Sequence, residues 1–75
     1  MTLDEFVKAF AAEFDDTPAE QFTPATNFRE LEEWGSLTAL SIMDMVEEEM
    51  GVEITGADLR KTKTIEELYN LVSAQ

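Results

Sequence analysis

The stretch Gly35-Ser36-Leu37-Thr38-Ala39-Leu40-Ser41-Ile42-Met43-Asp44-Met45-Val46-Glu47-Glu48-Glu49-Met50-Gly51 decides the fold. Residues 36 to 50 are mostly good helix formers, and glycine stands just before and just after them, the second a natural C-terminal stop. At about 100° per residue, Ala39, Ile42, Met43, Val46 and Met50 share one stripe, enough for a core face, with Met45 an uncommitted apolar residue at its flank. Leu37 and Leu40 miss that stripe. They fall among Ser41, Asp44, Glu47 and Glu48, so this helix puts two leucines among carboxylates on the side away from the core. Three readings stand side by side: leucines that are singly exposed, as is common on protein surfaces, leucines covered by the long loop, or a docking face with apolar contacts inside an acidic ring.

Outward from this helix, the chain divides cleanly. Leu3, Phe6, Val7, Phe10 and Phe14 recur at helical spacing, and Thr2 three residues before Glu5 forms a capping box, which predicts a first helix from Leu3 to Phe14. Residues 15 to 35 form a long connection, with Phe22, Phe28, Leu31 and Trp34 spaced along it as anchors. Thr17-Pro18-Ala19-Glu20 predicts one short turn with proline at its first helical position, and Pro24 favours an extended or turn conformation at Thr23. Val52-Glu53-Ile54 reads as extended, Thr55-Gly56-Ala57-Asp58-Leu59 as a short capped helical turn, and Lys61-Thr62-Lys63 as a linker. Thr64 with Glu67 repeats the capping box ahead of Ile65, Leu68, Tyr69 and Val72. The expected architecture is all-α: three main helices and one short one, with a long loop between the first two, in a single domain spanning residues 1–75.

Composition bounds the function. The chain has 75 residues, 44% of them hydrophobic, so it folds around a thin core with little margin of stability. Seventeen Asp and Glu against five Lys and Arg give a formal net charge of -12, which repels nucleic acid and anionic membrane surfaces and favours basic protein surfaces. The same repulsion predicts stabilisation by salt or divalent cations. No cysteine and no histidine are present, which excludes disulfides, thiolate zinc sites and hydrolase triads of the serine-histidine type. Consecutive acids such as Glu47-Glu48-Glu49 point in different directions on a helix, so no metal site is expected. The early acids at Asp4 and Glu5, and the absence of a long apolar run, predict a cytoplasmic protein.

Ser36 then raises a question. A serine at the head of a helix reads either as an N-cap or as an exposed hydroxyl that another enzyme modifies, since a helix N-terminus favours an attached anion. Gly35-Ser36-Leu37 ahead of an acidic helix ending Glu47-Glu48-Glu49-Met50-Gly51-Val52-Glu53-Ile54 resembles the acyl carrier proteins over nearly the whole chain. The resemblance implies a four-helix bundle of the acyl-carrier type, in which Ser36 receives 4'-phosphopantetheine from coenzyme A and the arm carries acyl or aminoacyl groups as thioesters. It implies a non-catalytic carrier of fatty acid or secondary metabolite biosynthesis, expected as a monomer. Its partners would be a phosphopantetheinyl transferase and loading and using enzymes with basic docking patches. Phe28 and Leu31 resemble the family's loop anchors, and its partner-reading second helix matches the misfit face. Leu37, Leu40, Asp44, Glu47 and Glu48 are therefore the expected partner surface.

Two departures are visible. The family usually has Asp before the serine, where this chain has Gly35, and Glu32-Glu33-Trp34 replaces a small-residue approach, as in a specialised stand-alone carrier. Trp34 reads as a core plug or as a contact for the arm. The four methionines are expected to make an interior cleft adaptable, and Arg60, Lys61 and Lys63 read as solvated charge near a helix end. The alternative function is an unmodified carrier-like protein-protein interaction module, whose serine stays bare and caps its helix.

Overall fold

The computed structural model describes residues 1–75 and contains four α-helices: α1 Leu3–Ala11, α2 Ser36–Met50, α3 Gly56–Lys61 and α4 Ile65–Ser73. Two 3-10 turns, Ala19–Gln21 and Phe28–Glu30, punctuate the connection from α1 to α2. The only bridge-type pairing is an isolated one between Asn27 and Thr64, so the architecture is the expected all-α bundle.

Helix starts follow from threonine and acid pairs. The Thr2 hydroxyl accepts from the Glu5 N–H at 3.2 Å while the Glu5 carboxylate accepts from the Thr2 N–H at 2.8 Å, and the same reciprocal box opens α3 with Thr55 and Asp58 and α4 with Thr64 and Glu67. Helix α1 stops three residues short of the expected Phe14. Glu13, Asp15 and Asp16 crowd negative charge at the negative end of its dipole, and the chain finishes in tight turns, Glu13 N–H to Phe10 C=O and Phe14 N–H to Ala11 C=O. Phe14 nevertheless stays buried. Pro18 sits one position earlier than expected, as the cap of its turn rather than its first helical residue.

All seven aromatic residues form one connected network. Phe10 is its hub, with ring centroids of Phe6, Phe14, Phe22, Phe28 and Trp34 all between 5.6 and 6.5 Å away. The anchors Phe22 and Phe28 are buried, which explains how so long a connection is held. Backbone bonds tie it to the start of α4 as well: Phe28 N–H to Lys63 C=O, Ile65 N–H to Thr26 C=O and Glu66 N–H to Pro24 C=O. Thr62, within the expected linker, is buried and turns its hydroxyl back on the carbonyls of Asp58 and Leu59.

On α2 the core face consists of Ile42, Met45 and Val46, with Ala39, Met43 and Met50 half-buried. The buried arc is thus rotated by roughly 60° from the one expected, toward Met45, because α1 packs on that flank with Ala9 and Ala12 beside Met45. Gly51 ends α2 at φ 68°, a left-handed conformation that a side chain would strain.

Candidate functional site

The first turn of α2 is built unlike the other three. Gly35 is its cap residue and, having no side chain, contributes no capping hydrogen bond. Its N–H donates instead to the hydroxyl of Thr38 at 2.8 Å, and that hydroxyl turns back toward the carbonyls of Glu33 at 3.1 Å and Gly35 at 3.0 Å. Thr38 therefore closes the helix start from inside. Ser36 is the first helical residue and not the cap, which corrects the N-cap reading of its hydroxyl: the capping position belongs to Gly35, and the Ser36 side chain is exposed and enters no hydrogen bond. No carboxylate lies in the first turn of α2, whereas α1 has Asp4 and Glu5 there, α3 has Asp58, and α4 has Glu66 and Glu67. The positive end of the longest helix is left without an internal anion.

The approach to this turn is held by a strap. The Glu33 carboxylate accepts from the Thr17 hydroxyl and from the Asp16 N–H, the latter at 3.0 Å, binding the end of the connection to its beginning. These bonds, led by that from Thr17, hold the Glu33 carboxyl below its ordinary range. Trp34 follows, its ring 4.9 Å from that of Phe28 and stacked on Phe10 and Phe14. It is only half-buried, because its other side lines a cavity of about 320 Å³ that also takes in Gly35, Ser36 and Ala39. Trp34 is thus core plug and cavity wall at once.

Across the cavity stand Gly56, Leu59 and Arg60 of α3, together with Arg29. Neither arginine was expected at this place. A signal was present in the sequence: Arg29 and Arg60 bracket a run of nine acids that holds no base, and the fold closes that run so that Arg29 Nη1 donates to the Arg60 carbonyl at 3.4 Å. No methionine lines this cavity, so the adaptable methionine cleft has no counterpart beside Ser36. A larger cavity of about 650 Å³ lies between α1 and the connection, lined by Val7, Ala11, Phe14 and Phe22, and does not include Ser36.

Further along α2, Leu37 is 81% exposed and Leu40 54%, so the connection does not cover them. Asp44, Glu47 and Glu48 are exposed on the same side, and the structure brings all five together as one face. No group of three or more acidic side chains is placed to hold a metal ion. No helix is long and apolar enough to cross a membrane.

Residues 5–72 match the family model described as phosphopantetheine attachment site. The chain belongs to that family. Phosphopantetheine attachment domains carry the 4'-phosphopantetheine group, serve as carriers rather than catalysts, and work with partner enzymes. The four helices without a strand are the fold expected of an acyl-carrier bundle. No curated protein and no solved structure matches the chain.

Proposed function

We infer that Ser36 is the attachment residue of a carrier domain formed by residues 1–75. The observation that carries this reading is the start of α2: a free, exposed hydroxyl in a first turn from which acids are absent, in a chain of net charge -12. A phosphate esterified there meets the positive end of a 15-residue helix and no fixed carboxylate in its first turn. Gly35 leaves open space, since a Cβ built on it meets nothing within 4 Å. The site therefore fits the group its family carries.

In the modification, the Ser36 Oγ attacks the phosphorus of coenzyme A that bears the pantetheine. A new Ser36 Oγ–P bond forms, the pyrophosphate P–O bond breaks, adenosine 3',5'-bisphosphate leaves, and the hydroxyl proton passes to a base of the transferase. That base comes from outside, because this chain has no histidine and Ser36 has no basic partner bonded to it. The bound group supplies a thiol on a flexible arm, which holds acyl or aminoacyl cargo as a thioester. What the chain adds is attachment, presentation and recognition. Tethering converts delivery into a reaction at high effective concentration.

Leu37, Leu40, Asp44, Glu47 and Glu48 form the surface that the transferase and the loading and using enzymes read. Apolar contact supplies affinity and the acids steer basic patches onto it. Such a monomeric carrier belongs in the cytoplasm, in fatty acid or secondary metabolite biosynthesis. Incubation with coenzyme A and a broad-specificity transferase, followed by intact-mass measurement, tests the assignment. The wild type gains one phosphopantetheine and Ser36→Ala gains none; an unmodified wild type, or equal gain in the variant, refutes it in favour of a bare interaction module.

A further inference from the structure

Five cationic side chains serve this entire chain, and its only two arginines converge on the one cavity that contains Ser36. Arginine is the side chain best matched to phosphate oxygens, through a planar fork of N–H donors. In so acidic a protein the expected fate of an arginine is an ion pair with a neighbouring carboxylate. Neither guanidinium hydrogen-bonds a carboxylate: Asp58 caps α3, accepting from the Thr55 N–H at 2.9 Å, and Glu67 caps α4, accepting from the Lys63 N–H at 2.7 Å, a bond that, ahead of the charges of Lys63 and Arg29, holds its carboxyl below the ordinary range. The one hydrogen bond made by either guanidinium goes from Arg29 to the Arg60 carbonyl, so most of the ten donors of the pair remain free. Beside them the cavity continues onto apolar surface, with Trp34, Ala39 and Leu59, and its volume of about 320 Å³ lies at the lower end of small-ligand sites.

We propose that Arg29 and Arg60 seat the phosphodiester of the group esterified to Ser36, so that the arm lies back over Trp34 instead of trailing into solvent. The proposal rests on attachment at Ser36 and adds to it a second, side-chain contribution to phosphate binding. The seat offsets the repulsion that a chain of net charge -12 exerts on an attached anion. It also gives Gly35 a context: a carboxylate at that position would sit at the edge of the same cavity and compete for the guanidinium groups.

The test compares unmodified and phosphopantetheine-bearing protein, each confirmed by intact mass. Arginine Nε–H signals in ¹H–¹⁵N spectra report the seat, and fluorescence of Trp34, the sole tryptophan, reports the arm. Both Nε–H signals shift on modification, and Trp34 emission changes. In Arg29→Gln/Arg60→Gln, brought to the same mass, the emission change falls at least threefold, while Arg29→Lys/Arg60→Lys keeps part of it. Complete mass gain with unmoved arginine signals, or the same Trp34 response in the glutamine variant, overturns the seat and leaves attachment standing. Absence of any mass gain overturns both. Should the glutamine variant resist modification, the wild-type arginine signals decide alone.

Discussion

Helices α1 and α2 begin in opposite ways. At α1 the start is closed locally: Thr2 and Glu5 exchange hydrogen bonds, and Asp4 and Glu5 place negative charge at the positive end of the dipole. At α2 the cap is a glycine, the first turn carries no acid, and the serine that an N-terminal pattern would assign to capping is displaced into the helix and left unbonded. A start optimised for stability uses up its hydroxyl and its dipole. One that leaves both available is suited to an anion from outside, and Thr38 supplies enough internal closure to keep the helix in place.

The difference can be broken by mutation, beginning with the core on which both helices rest. Phe10→Ala removes the hub of the aromatic network and is expected to cost about 3–5 kcal/mol, enough to unfold a domain this small; denaturant titration measures it. Docking comes next. Leu37→Ala is expected to weaken transferase binding by about fivefold or more, as for an exposed apolar anchor, while Glu47→Lys slows association in a salt-dependent manner; neither moves the unfolding midpoint by much. Equal affinities across these proteins would remove the partner surface.

The caps themselves differ by a smaller amount. Thr64→Ala breaks a capping box and is expected to lower stability by about 1 kcal/mol, whereas Ser36→Ala, which breaks no hydrogen bond, should change it by less than about 0.5 kcal/mol. Equal losses would show that Ser36 caps α2 after all. The smallest effect concerns the strap. Because its bonds lower the Glu33 carboxyl in the folded protein, its contribution is complete above the ordinary carboxylate value of about 4.3 and is lost as pH falls through the lowered one. Glu33→Gln should flatten that part of the acid-unfolding profile and leave the neutral limb in place.

What the sequence made legible were features with local causes. The bounds of α2 follow from glycines on both sides, the starts of α1, α3 and α4 from threonine three residues before an acid, and the exposed leucines from helical geometry alone. The end of α1 was less legible, because packing keeps Phe14 buried after the helix has stopped and so extends its apolar periodicity falsely. The turn at Phe28–Glu30 is too short to show a period, and the side of α2 taken by α1 depends on tertiary packing that selects Met45 over Met43. The arginine pair was hidden for the same kind of reason. Arg29 and Arg60 lie 31 positions apart, and only the closed bundle places them at one cavity.

Ser36 differs from the other unbonded serines, Ser41 and Ser73, in standing exposed at the positive start of α2. Fragment-ion mapping of the protein after treatment with coenzyme A and a transferase tests this most directly, since Ser41, Ser73 and the threonines offer competing hydroxyls within the same chain. The added phosphopantetheine is expected on Ser36 and on no other residue. Its appearance on any of the others, with Ser36 unmodified, would contradict that assignment.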